Sequence, residues 1–171
     1  MIVSLFIWLV VIPLGHGVLP WVISLISVRY GWTDAHASVW NLLGLIPVIV
    51  AIPGLLWVMV VGLVSTPQRV EVGLTPQVLL VRGPYAYTRN PMYIGELCLW
   101  FGWAVYYGSV FVFTGFVIIV LATNFVILPR EERALESHLG ESYKQYKNSV
   151  PRWLGKSTGS RLREAVDFKK S

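Results

Sequence analysis

The chain has 171 residues, of which 55% are apolar and only 13% charged, with eight tryptophans and a mean hydropathy of +0.61. Soluble domains carry about a quarter charged residues, so this composition excludes an ordinary soluble domain and predicts an integral membrane protein. The net charge of +5 calls for no nucleic-acid partner, because basic residues also suit an anionic inner leaflet, and the single Cys98 excludes an intrachain disulfide and a cysteine metal cluster.

In chain order, the first apolar run covers residues 1–28 and is long enough to cross a bilayer as helix. Pro13, Gly15, Gly17 and Pro20 interrupt it, which predicts one kinked span or two short segments. It lacks a basic segment ahead of the apolar stretch and a small-residue cleavage site, so it reads as a retained span rather than a signal peptide. His16 sits in it between two glycines, without a second histidine or carboxylate at helical spacing, and no metal site is expected. Asp34 and His36 fall in a short exterior loop. A second span covers residues 38–64, and residues 65–90 form a polar connector.

Residues 91–107 and 109–128 are two further apolar runs separated by Gly108, which predicts a tight helical hairpin. Gly95 and Gly102 leave room for a neighbouring helix. The expected fold is therefore all-α, with four transmembrane helices, or five if the first run is split, and a cytoplasmic helical segment after residue 128. Residues 129–153 complete that segment and residues 154–171 form a basic tail. Arg29 alone of the 14 basic residues falls on the exterior side, so the connector and carboxy-terminal region are cytoplasmic by the positive-inside rule. Lys156, Arg161, Arg163, Lys169 and Lys170 suit membrane lipids, or simply a solvated tail.

Two polar clusters border the hairpin. The first is Arg89-Asn90-Pro91-Met92-Tyr93-Ile94-Gly95. Pro91 fits the first position of a helix, and Asn90 before it fits an N-cap accepting a backbone N–H. Arg89 then lies beside the positive end of the helix dipole, where helix stability gives no reason for a cation. Amide donors beside a guanidinium suit a carboxylate or phosphate, although an interfacial snorkelling cation reads the same way. Glu96 lies within the span, where a charge costs a few kcal/mol unless paired, so it is either functional or neutralises an arginine such as Arg82 or Arg89. The second cluster follows residue 128. Pro129 resets the chain, Glu131 and Glu132 occupy the first turn of a helix ending at Gly140, and Tyr143, Tyr146 and Val150 predict a short amphipathic helix closed by Pro151, Arg152 and Trp153.

The segment GPYAYTRNPMYIGEL, followed across the hairpin by REERALESHLGESYKQYKNSVPRWL, resembles the integral-membrane methyltransferases of the isoprenylcysteine carboxyl methyltransferase and phospholipid methyltransferase group. These carry an Arg-His-Pro-x-Tyr-x-Gly element and a later Glu-Glu pair. The resemblance covers residues 79–153 and implies a helical membrane enzyme using S-adenosylmethionine at the cytoplasmic face. Its cofactor element maps to Arg89, Pro91, Tyr93 and Gly95, and its acidic pair to Glu131 and Glu132. The family histidine is Asn90 here, which hydrogen-bonds but does not titrate near neutrality. Arg89, Asn90 and Arg152 are the expected catalytic residues, with Arg152 a partner for an acceptor carboxylate or else an interfacial anchor. Glu96 joins the cofactor site as the in-span carboxylate. The implied acceptor is lipophilic, such as a prenylcysteine carboxylate, a phospholipid amine or a small thiol.

Two other functions fit parts of the pattern. A membrane reductase of the sterol or enone type, using NADPH, would share the Arg-x-x-x-Tyr-x-Gly region but would call for more basic residues in the connector than Arg69 and Arg82. A non-enzymatic helical scaffold would explain Glu96 as a packing ion pair and leave the paired polar clusters without a purpose.

Overall fold

A computed structural model describes residues 10–65 and 79–155. Arg69 and the other connector residues 66–78, the first nine residues of the opening run, and the basic residues from Lys156 onward lie outside them. The described residues are helical apart from one small hairpin and the connecting turns.

The opening run forms helix α1, Leu14–Leu25. The prolines and glycines do not split it within the described residues. They are absorbed by a π turn over Leu14–Val18, with Pro20 in the first turn of the α-helical part, where its missing N–H costs nothing. The loop after α1 is more ordered than the sequence suggests. Strands β1, Trp32–Thr33, and β2, His36–Ala37, pair antiparallel through Asp34 and Ala35 at φ 48° and 63°, the left-handed pair that a tight hairpin turn requires.

Helix α2, Val39–Ser65, packs against α3, Pro91–Tyr107, and the contact explains the glycines. A Cβ on Gly102 would come within 2.6 Å of the Gly44 carbonyl and of Val48, and one on Gly95 within 2.6 Å of Leu55. The two backbones touch because neither position carries a side chain. Around them Val48, Ala51, Leu55 and Leu99 form a buried cluster.

Gly108, at φ 57°, ends α3, and a side chain there would run into the Tyr30 carbonyl. Ser109 caps the next helix by accepting the Val112 N–H at 3.2 Å. That helix, α4, runs without a break over Val110–Leu139. Pro129 does not restart the chain as expected. The π turn Thr123–Ile127 immediately before it loosens the backbone where the proline removes a donor, so the helix continues. At 30 residues α4 is about 45 Å long and carries Glu131 and Glu132 well past the hairpin core.

Gly140, at φ 54°, turns the chain into α5, Glu141–Ser149. Its buried Tyr143 and Tyr146, with Val150, pack on Leu79, Val81, Leu135 and Leu139, so the amphipathic face docks on the end of α4 and the connector. Two helices, Val39–Ser65 and Val110–Leu139, are long and apolar enough to cross a membrane, and little of either apolar window is buried, 22% and 11%. The outward surface of Ile46, Ile49, Val50, Phe111, Phe113 and Ile118 suits lipid. Helix α3, at 17 residues, and the described part of α1 are shorter than these two, so two of the expected four or five spans reach about 20 residues or more among the described residues.

Candidate functional site at the start of α3

Because α3 and α4 are antiparallel, the first turn of α3 and the distal end of α4 lie at the same end of the molecule. The two polar clusters meet there. Tyr93 donates its hydroxyl to Glu131 Oε1 at 2.7 Å, and Arg89 Nη1 lies 2.9 Å from Glu132 Oε1.

The pieces are held by a seam between residues 88–90 and 151–152. Arg89 N–H donates to the Pro151 carbonyl at 3.0 Å. Thr88 Oγ1 and Asn90 Nδ2 both donate to the Arg152 carbonyl, at 3.0 and 2.9 Å. Tyr146 Oη donates to the Tyr85 carbonyl at 2.8 Å, fixing α5 to the turn Gly83–Ala86. Burial holds the Tyr146 and Tyr85 hydroxyls above the ordinary tyrosine range, with Tyr85 adding to the effect on Tyr146 and Glu131 to that on Tyr85.

Several expected roles change. Asn90 does not cap α3: no side chain caps that helix, and the Asn90 amide is spent on the Arg152 carbonyl instead. The first amides of α3 are thus left as donors. Glu132, expected in the cofactor site with Glu131, is buried and already paired. Arg152 grips it with Nε at 3.0 Å and Nη2 at 2.6 Å, and Arg89 approaches from the other side. The bidentate contact raises the Arg152 pKa and commits its Nε and Nη2 to Glu132.

Arg89 is less exposed than a snorkelling cation would be, with 9% of its side chain accessible. Its Nη1 lies near Glu132 but its N–H is not aimed at that oxygen, so the contact is an ion pair rather than a hydrogen bond, and Nε and Nη1 are buried without hydrogen-bond partners. Tyr143 lies against Arg89; burial raises its pKa, Glu132 reinforces this, and Arg89 opposes it. Glu131, in contrast, is exposed and uses one oxygen for Tyr93.

Gly95 faces Leu55 of α2, which gives it a packing role. Pro91 stands at the first position of α3, as expected. Glu96 does not pair with Arg82 or Arg89. Its Oε2 lies 3.6 Å from His16 Nε2 of α1, a partner that sequence spacing could not reveal across 80 residues.

The chemistry of this arrangement is that of a zwitterion site. Uncapped amides beside the Arg89 guanidinium suit a carboxylate, and the exposed Glu131 suits an ammonium or a ribose hydroxyl. The model of the family described as phospholipid methyltransferase matches residues 68–144, which include both clusters. The chain belongs to the phospholipid methyltransferase family. Family membership implies a membrane methyltransferase, and the matched span brings Arg89, Tyr93, Glu131 and Glu132 together while stopping short of Arg152. A protein of Haemophilus influenzae, itself described as uncharacterized, is 36% identical over 63 residues, covering 37% of this chain and the whole of that protein. No solved structure matches.

Proposed function

We propose that this family member is a multi-pass membrane enzyme that transfers a methyl group from S-adenosylmethionine to a lipophilic acceptor, with its site on the cytoplasmic side. The observation that carries the reading is the meeting of the two clusters, Tyr93 on Glu131 at 2.7 Å and Arg89 beside Glu132 at 2.9 Å. Basic residues gathered on that side of the hairpin support the orientation.

S-adenosylmethionine supplies an activated methyl group on a cationic sulfur. The residues fit it: the first amides of α3 with Arg89 would take its carboxylate, Glu131 its ammonium or ribose, and Tyr93 would line the site. Glu132 has a positioning role, fixing Arg89 and Arg152 at the seam between residues 88–90 and 151–152. Asn90 contributes by tying the Arg152 carbonyl rather than by moving a proton. Methyl transfer is an in-line displacement, so orientation and exclusion of water supply much of the acceleration. The apolar outer faces of α2 and α4 favour an acceptor entering from the bilayer.

Calorimetry of the detergent-purified protein tests the reading. S-adenosylhomocysteine is expected to bind and NADPH is not. Binding of NADPH alone would indicate a reductase, and binding of neither would indicate a scaffold.

A further inference from the structure

On α4 the residues next to the acid pair face the other way. At 3.6 residues per turn, the midline of Arg130 and Arg133 lies opposite that of Glu131 and Glu132, so the two arginines mark the outward face of the helix. Both are exposed, and they follow closely on the exposed apolar side chains of Phe125, Val126 and Ile127. The lipid-suited surface of α4 thus runs straight into a pair of cations.

Neither arginine has a counter-ion among the described residues, and helix stability does not account for them. Four residues beyond Arg130 and Arg133, where a carboxylate would complete an ion pair along the helix, stand Ala134 and Ser137. The acids nearby are committed elsewhere: Glu131 to Tyr93, Glu132 to Arg89 and Arg152, Glu136 to Lys147 Nζ at 3.0 Å, and Glu141 to Lys144. What each arginine has one turn away is the other, a like-charge pair that destabilises a helix unless the two share an anion. The direction of Arg133 is also informative. Its Nε donates to the Pro129 carbonyl at 3.0 Å, which draws the guanidinium back along the helix toward the apolar stretch. A cation that merely snorkels where a helix leaves the bilayer extends away from lipid into water. Arg133 is turned the opposite way.

We propose that Arg130 and Arg133 form a resident-lipid site on the outward face of α4, which takes the phosphate of an anionic phospholipid in the leaflet at the Glu131 end of the helix. The site rests on α4 crossing the bilayer and is independent of the methyl-transfer reading. Two planar guanidinium groups about one helical turn apart present paired N–H donors to phosphate oxygens. The acyl chains continue along Phe125, Val126 and Ile127, so one molecule satisfies the charge and covers the apolar surface. A free anion would do only the first, and a zwitterionic lipid would bring its own cation to the pair. Held on the face opposite Glu131, this lipid is a fixed neighbour of the protein and not a methyl acceptor.

The test is native mass spectrometry of the full chain in detergent, offered equal amounts of dioleoylphosphatidylglycerol and dioleoylphosphatidylcholine. The phosphatidylglycerol adduct is expected to dominate by about five-fold or more. Arg130→Gln and Arg133→Gln should each weaken it by about five-fold, and the two together by about twenty-fold, the factor a basic side chain contributes near an anionic lipid surface. Arg82→Gln removes an equally exposed charge from the turn packed against Val61 of α2 and should leave the adduct unchanged. Parental unfolding midpoints without added lipid show that the variants fold. If the double variant does not, the single variants against Arg82→Gln decide. The proposal is overturned by equal adducts of the two lipids or by undiminished phosphatidylglycerol binding in the arginine variants of α4. An equal loss in Arg82→Gln also overturns it, because the attraction is then diffuse charge. Displacement of the lipid by inorganic phosphate at equal concentration does so too, because the site then takes a free anion. A chain that stays in solution without detergent removes the membrane placement itself.

Discussion

Tyr93 on the first turn of α3 donates a 2.7 Å hydrogen bond to Glu131 on α4, joining two segments 38 residues apart at the end of the helical hairpin. The neighbouring carboxylate, Glu132, turns inward to two arginines, so adjacent residues of one helix have opposite tasks. One is exposed to a ligand, and the other holds the frame.

That division predicts separable effects. Glu131→Gln removes an exposed charge and should weaken S-adenosylhomocysteine by about ten-fold, as expected for a charge-assisted hydrogen bond of roughly 1.5 kcal/mol. Its unfolding midpoint should stay near that of the parent, because surface changes cost within about 0.5 kcal/mol. Calorimetry and thermal unfolding of the same preparation check both halves.

Glu132→Gln should do the reverse and destabilise the fold strongly. It leaves the 9%-accessible Arg89 side chain without its counter-ion. Breaking a buried pair costs about 3–5 kcal/mol, and the lower end is expected because Arg152 is 34% accessible and partly rehydrates. Arg152→Lys should be milder but still measurable, since a lysine cannot reproduce the two-pronged contact. Denaturant unfolding in detergent reads out both changes.

The α2–α3 contact predicts an effect far from the site. Gly102→Ala places a methyl group 2.6 Å from the Gly44 carbonyl, and a backbone atom cannot swing away as a side-chain end would. A cost of about 1–3 kcal/mol is expected. Gly54→Ala, where nothing lies within 4 Å, is the control and should be neutral or slightly stabilising, as alanine favours helix over glycine.

Alkaline pH should loosen the carboxy-terminal seam. Burial raises the folded pKa of Tyr146 and Tyr85 above the usual value near 10, so the folded state holds protons that the unfolded chain releases. Their contribution is intact below about pH 10 and is lost as pH climbs beyond it. Unfolding series at pH 8 and pH 11 should show the decline. Tyr146→Phe should be about 1 kcal/mol less stable at pH 8, through loss of the bond to the Tyr85 carbonyl, and should decline less steeply.

Local rules read well where they depended on neighbouring residues. Pro91 opens α3, Gly108 and Gly140 end helices where they were expected to, and Gly95 and Gly102 mark the close helix contact. The approach of Arg89 to the acid pair followed from placing both clusters at one end of a hairpin. Features set by distant partners were not legible. Asn90 has the composition of a cap, but its amide is drawn off by the Arg152 carbonyl, which local spacing cannot show. Pro129 would normally restart a helix, and only the π turn before it lets α4 continue. His16 and Glu96 meet because α1 crosses α3, and neither residue carries a spacing signal toward the other. An isolated carboxylate in one apolar run and an isolated histidine in another was the available clue, since each is costly in a bilayer without a partner.

A structure of the protein with S-adenosylhomocysteine bound tests the central claim most directly. The account predicts the ligand carboxylate at the first amides of α3 beside Arg89, and its ammonium or ribose within hydrogen-bond distance of Glu131, with Glu132 still paired to Arg152. A ligand lodged at the opposite end of the hairpin, against Trp32 and Tyr107, or one that touches neither Glu131 nor the start of α3, would contradict it.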